Sequence, residues 1–279
     1  VERKKAASRM SHEALSRREF LAVSAAFGAT ILTGKLCAAA QEKSMKKTFT
    51  ILHTNDMHSA FIGMGPASDY TPFTLNDDKT QGGYARLGAL IATKREARKN
   101  QGPVLVLDAG DYSMGTAFAA AGREIGGELQ IMARMGYDAT TFGNHEFDLG
   151  ADGLAKAIGV ASKAGRIPAV LSSNTDFSGS DAMLTGLRQL SKAGLIRRYL
   201  VIERGGIRFG LFGVLGKEAQ IYTSGGAVKF PDPVASAREV VKILRETEKV
   251  DVVIALSHGG VEKGKDGRYS TGEDVGLPE

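Results

Sequence analysis

Cysteine is nearly missing: Cys37 is the one thiol in 279 residues. It lies before Ala38-Ala39-Ala40, a small-residue cleavage signal, so the mature chain is expected to hold no disulfide and no cysteine metal ligand. Long apolar runs are also missing. The apolar stretch at residues 20–33 falls short of the about 20 residues that a membrane crossing requires, which excludes a permanent span. The body of the chain lacks a basic excess as well. Residues 1–40 take seven Lys/Arg and three acids, so residues 41–279 keep 29 of the chain's 36 basic residues and 28 of its 31 acids, a net of +1. No charge remains there to neutralise the phosphates of a nucleic-acid polymer.

What residues 1–40 do contain is an export pattern. A basic region ends in Ser16-Arg17-Arg18-Glu19-Phe20-Leu21, an Ala-rich apolar run follows, and the cleavage signal closes it. The pair Arg17-Arg18 resembles a twin-arginine (Tat) signal, which implies passage through the Tat translocase as a folded protein and a periplasmic or secreted bacterial location. Residues 41–47 read as a polar linker and residues 48–279 as one domain.

In that domain apolar runs alternate with helical patterns. Strands are expected at 48–53, 103–107, 138–142, 169–173 and 250–256, with helices at 84–99, 127–135, 151–164 and 234–249. The runs 103–107 and 250–256 are almost wholly apolar, as in strands buried on both faces. Gly205-Gly206 breaks 196–203 from 207–214, the signature of a hairpin. Residues 59–83 read as a long loop over the site, and 263–279 show no element. Strand–helix alternation implies an α/β fold, in which ligands gather at the carboxyl ends of the strands.

Four of these strand ends carry metal-binding side chains: Asp56 and His58, Asp111, Asn144 with His145, and His258. Asp56 and His58 are expected to share one side of an extended segment. Three of the five histidines occupy these ends; His53 lies within the first strand and reads as structural. Mixed imidazole, amide and carboxylate ligands suit Mn, Zn, Fe or Co. Two such ions would need a carboxylate between them, and Asp111, alone at a central strand end, is the natural candidate. Asp148, three residues after His145, meets it if a helical turn begins there.

Asp56-Met57-His58, Gly110-Asp111, Gly143-Asn144-His145-Glu146 and Ser257-His258-Gly259-Gly260 follow one another as in the calcineurin-like metallophosphoesterases. His53 to His58 and Phe142 to Asp148 look like the 5′-nucleotidase branch. The resemblance covers about residues 48–262. It implies a four-layer α/β-β/α sandwich with mixed sheets and two divalent metal ions. Asp56 and His58 would bind the first, Asn144 and His258 the second, and Asp111 both. His145 would stabilise the phosphoryl transition state and protonate the leaving oxygen, with Asp148 orienting its ring. The implied reaction is phosphomonoester hydrolysis of a small nucleotide, by in-line attack of a hydroxide held between the metals. Cyclic or sugar nucleotides and a thiosulfate-type ester are alternative substrates. The family's later Gly-His-x-His motif does not follow His258, and there is no room for the branch's second, nucleobase-stacking domain. The expectation is therefore a metallophosphoesterase domain with an incomplete C-terminal part, and a non-catalytic fragment is the competing reading.

Overall fold

Side chains that alternate along a strand must find cover on two sides, and here each side is covered by a different layer. The structure is a computed structural model and describes residues 46–63, 81–224, 226–272 and 274. The export pattern at 1–40, the linker up to residue 45 and the middle of the 59–83 loop lie outside the described residues.

Five parallel strands form the first sheet in the order β1 (Thr50–Thr54), β2 (Val104–Asp108), β3 (Ala139–Thr141), β4 (Ala169–Leu171) and β5 (Ile196–Arg197). The second sheet has the order β6 (Tyr199–Arg204), β7 (Ile207–Leu215), β8 (Val252–His258); β6–β7 is antiparallel and β7–β8 parallel. The larger sheet is thus parallel throughout, and the smaller is the mixed one. β9 (Glu262–Lys263) and β10 (Tyr269–Thr271) make a small ribbon in the stretch where no element is expected.

The layers follow from the period of two. In β2, Leu105 and Leu107 point one way and, with Ala139 and Leu171, pack against Ile207, Phe209, Leu211 and Leu256 of the second sheet. Val106 and Val170 point the other way, into a core shared with helix residues Ile91, Leu129, Met132, Ile158 and Leu187. These belong to α1 (Tyr84–Arg98), α3 (Gly127–Met135), α4 (Gly150–Ala164) and α5 (Thr185–Lys192); the short α2 (Ala119–Ile125) precedes α3. On the far side, Phe212 and Val214 pack against Ala237 and Val240 of α7 (Pro233–Lys242), which follows α6 (Lys217–Ile221). Helix, sheet, sheet and helix make the four expected layers. Each fully buried Leu, Ile or Phe contributes about 1.5–3 kcal/mol to holding them together.

Local signals explain the element ends. Asp232 caps α7 by accepting from the Ala235 N–H at 2.8 Å, with Pro233 in the first turn, where its missing N–H costs nothing. The helix expected to run to 249 changes at Ile243 into a π-helical turn that ends at Thr247, two residues before Lys249, whose φ is 52°. Gly205 and Gly206 have φ of 62° and 70°, so both centre positions of the two-residue β6–β7 turn are left-handed, as a type I′ turn requires. The strand expected over 196–203 divides. Ile196–Arg197 pairs with β4 and Tyr199–Arg204 with β7, so the chain passes from one sheet to the other at Arg198. On α1 only part of the expected apolar face is covered: Ile91 is buried and Leu90 is 53% exposed. Among the described residues no helix is long and apolar enough to cross a membrane.

Candidate metal centre

The site begins where parallel hydrogen bonding outlasts the strands. After β1 and β2 end, the N–H groups of Asp56, His58 and Ser59 still donate to the carbonyls of Gly110, Asp111 and Tyr112, each at 3.0 Å. Asp56, His58, Ser59 and Asp111 take φ of 53°, 46°, 49° and 54°, the left-handed region that side chains rarely adopt. Such a residue costs of order 1 kcal/mol or more, so the surrounding bonds must hold it. The extended geometry expected for Asp56 and His58 is therefore corrected. They converge through left-handed turns, and β1 has already ended at Thr54.

The third segment arrives between two anchors. Phe142 and Phe147 are buried, their rings meet edge to face at 5.4 Å, and Phe147 meets Phe230 in the same way. Between them His145–Phe147 form a single 3-10 turn, which brings Asp148 Oδ2 to 2.6 Å from His145 Nδ1. Gly143 makes the approach feasible: a Cβ there would lie 2.0 Å from Asp111 Oδ1. The fourth segment is the end of β8, where the Gly216 N–H donates to the His258 carbonyl at 2.8 Å.

All seven residues expected at the site are brought together. His258 Nε2 lies 3.3 Å from Asp111 Oδ2 and 3.3 Å from Asn144 Oδ1. Asp111 Oδ2 also faces His58 Nε2 at 3.9 Å, and His58 Nε2 faces Asp56 Oδ1 at 3.5 Å. Two clusters with ligand atoms within 4.8 Å of one another result, Asp56–Asp111–His258 and His58–Asp111–His145, and Asp111 belongs to both. Burial grades across the centre. Asp111 is enclosed, whereas the side chains of Asp56 and His145 are 46% and 40% exposed, so access is from their side.

The donor set fits divalent cations. His258 Nδ1 donates to the Ala109 carbonyl at 2.9 Å, so Nε2, once it gives up its proton, turns a lone pair toward two oxygens that also carry only lone pairs. Such a convergence attracts positive charge, and an imidazole fixed by a backbone carbonyl is the usual support of a metal-bound histidine. Burial alone would lower the His258 pKa, but its bond to Asp111 and that carboxylate's charge raise it to about 9. Burial pushes Asp111 up, yet the hydrogen bond and charge of His258, then those of His145, hold it below the ordinary carboxylate value. His145 follows the same balance. Burial lowers it, and the bond to Asp148 with the charges of Asp111 and Asp148 raises it overall.

Three supporting residues escape sequence reasoning. Glu146 is buried and accepts from the N–H of Asp111 at 2.9 Å, of Gly143 at 2.6 Å and of Ser113 at 3.0 Å, and from Ser113 Oγ at 2.9 Å. It ties the second and third segments together. Burial, then the charge of Asp111, pushes it up to about 7. Asn174 is fully buried and bonds both the N–H and the carbonyl of Leu215, at 2.9 and 2.8 Å, joining the ends of β4 and β7. Asp108 accepts from Thr54, Thr140 and the Gly110 N–H beneath the centre. Asn174 directly follows the strand expected at 169–173, but its partners are backbone groups of another sheet.

Residues 49–277 match the family model described as calcineurin-like phosphoesterase. The chain belongs to the calcineurin-like phosphoesterase family. Within this family it is 36% identical over 219 residues to a 5′-nucleotidase of Rattus norvegicus, covering 77% of this chain and 34% of that protein. It is 31% identical over 226 residues to an apyrase of Tabanus yao, covering 81% and 37%. Among solved calcineurin-like structures, a 5′-nucleotidase precursor from Thermus thermophilus matches with a TM-score of 0.58 at 32% identity, covering 75% of this chain and 36% of that one. The chain spans about a third of the length of these relatives.

Proposed function

We propose that this calcineurin-like phosphoesterase chain carries the catalytic centre of a dimetal phosphomonoesterase that acts on nucleotides outside the cytoplasm. One observation carries the reading: Asp111 stands between two ligand clusters, and beside it His145 is coupled to Asp148. The nucleotide preference comes from the 5′-nucleotidase relatives. The domain plan is a twin-arginine signal at 1–40, a linker at 41–47 and the metallophosphoesterase domain from 48 to 279.

In the family's pairing Asp56 and His58 would hold one divalent ion and Asn144 and His258 the other, with Asp111 contributing to both; the side chains as they stand group Asp56 with His258 and His58 with His145, again around Asp111. When bound, such ions polarise the phosphoryl oxygens and make water nucleophilic at neutral pH. His258 presents Nε2 because Ala109 holds its Nδ1 proton. Water would attack phosphorus in line with the leaving ribose oxygen, giving one proton to solvent; His145 passes a proton to the leaving oxygen as its bond to phosphorus breaks and regains one from solvent. Asp148 fixes the His145 ring through Nδ1 and favours its protonated form, the one a general acid needs.

The test is a hydrolysis screen of the purified chain with Mn, Zn, Fe or Co, reading phosphate release from AMP and an aryl phosphate and, by chromatography, the monophosphates formed from UDP-glucose and a cyclic nucleotide. AMP is expected to turn over fastest. Absence of phosphate release with every metal would overturn the reading. Export is tested separately: Arg17→Lys with Arg18→Lys is expected to keep the protein in the cytoplasm, and normal periplasmic arrival would refute the Tat route.

A further inference from the structure

A cavity of about 450 Å³ opens beside β5, between the residues that follow β4 and helix α5. Its lining is cationic, with Arg188, Lys192, Arg197 and Arg198 against the single acid Asp176. Not all of that charge is available. Arg198 is held bidentately by Glu239 at 2.9 and 3.0 Å. Arg188 is spent on structure, donating to the Gly179 and Asp181 carbonyls and to Thr185 Oγ1.

Two cations are left over. Arg197 uses only Nε, on the Gly194 carbonyl at 2.6 Å, and its two terminal nitrogens find no acceptor among the described residues. Lys192 Nζ has no acceptor among them either. Ser172 adds a third donor. Its Oγ already accepts from Thr175 Oγ1 at 2.8 Å, so its proton is free to be given. Asp176 on the rim accepts the Ser178 N–H on Oδ1 at 2.8 Å and keeps its charge, so it offsets one of the two cations and leaves the other in excess.

The cavity therefore offers more hydrogen-bond donors and positive charge than its one carboxylate can match. An anionic oxygen group satisfies such a set, and the planar face of Arg197 suits the paired oxygens of a phosphate. The position agrees, since the carboxyl ends of parallel strands are where α/β folds place ligands. It is separate from the metal centre, whose side chains follow β1, β2 and β3 and end β8, whereas this cavity is built on β4 and β5. We propose that it is a second anion site, which takes the phosphate group of a small ligand through Lys192, Arg197 and Ser172.

The test uses the chain stripped of metal with EDTA and then dialysed free of the chelator, so that the metal centre holds no phosphate. Inorganic phosphate and, in a second arm, glycerol phosphate are titrated by calorimetry, with sodium chloride of equal ionic strength as the reference. Saturable binding at one site is expected. Tighter binding of inorganic phosphate points to the free ion, and tighter binding of glycerol phosphate to a phosphorylated metabolite. Lys192→Gln with Arg197→Gln is expected to weaken binding at least about tenfold, equal to about 1.4 kcal/mol. Asp111→Asn should leave it unchanged. Lys192→Gln alone, with its unfolding midpoint checked, covers the case in which the double variant folds poorly. Phosphate binding no better than chloride, or a loss equal in Asp111→Asn, would overturn the proposal. In the first event the cations serve only to deter strand addition at the open edge of β5, and the phosphatase reading is untouched.

Discussion

Replacing Glu146 by Gln exchanges one carboxylate oxygen for an NH₂ and tests whether the centre is assembled from its backbone. Oε2 accepts from Asp111 and Gly143, and Oε1 accepts from the Ser113 N–H and hydroxyl. An amide can keep its oxygen on one pair only. The better choice leaves the oxygen on Asp111 and Gly143 and turns the NH₂ toward Ser113, whose hydroxyl can rotate to accept. The Ser113 N–H then faces a donor with no partner, which costs about 1–3 kcal/mol in a buried site. Relief of the repulsion between Glu146 and Asp111 offsets part of this, so a net loss near 2 kcal/mol is expected, or roughly 4–8 °C in midpoint for a chain of this size. Looser tethering of Asp111 should also weaken Mn²⁺ binding by about tenfold, as for other residues that orient metal ligands. Urea and thermal unfolding with a Mn²⁺ titration measure both. An unchanged midpoint together with an unchanged Mn²⁺ affinity would refute this role.

Three further outcomes follow from the same geometry. Asp148→Asn removes the carboxylate that fixes and charges His145, so kcat for AMP should fall by about 10² with little change in metal affinity; the kcat profile should move to lower pH, and an unchanged profile would count against the dyad. Gly143→Ala places a methyl against Asp111 Oδ1 and should abolish Mn²⁺ binding, measured by calorimetry, while near-wild-type affinity would show that the loops can separate. Asp108 is pushed by burial, against the bonds from Thr54 and Thr140, from 3.8 up to about 6. Its folded form therefore binds more protons than the unfolded chain across that window, so its contribution declines as pH rises through it, by up to about 3 kcal/mol. In Asp108→Asn that decline should vanish, making the slope of stability with pH more positive between those values; an identical slope in urea midpoints would contradict it.

Much of the centre was legible because its side chains sit where chain direction is easiest to read. Asp111 and Asn144 follow apolar strands, and His258 ends one, so their types and order pointed to a shared site. β2 and β8 were legible as uninterrupted apolar runs, and Gly205-Gly206 as a turn. Other features leave no such mark. The left-handed turns at Asp56 and His58 carry no glycine, and only bonding to the neighbouring loop imposes them. The shift between sheets at Arg198 lies inside a continuous β-like run, because strand propensity does not name the partner. α5 was missed because its covered residue, Leu187, stands among Arg188, Gln189 and Lys192. Glu146 and Asn174 act on backbone groups from distant segments, which side-chain patterns do not encode.

The central claim is that one carboxylate, Asp111, serves two metal ions. The direct measurement is metal stoichiometry by calorimetry at saturating Mn²⁺, on the wild type and on two variants. The account predicts two ions for the wild type, one for His258→Ala, and loss of both for Asp111→Ala. A wild-type stoichiometry below two, or an Asp111→Ala protein that still binds both ions, would contradict it.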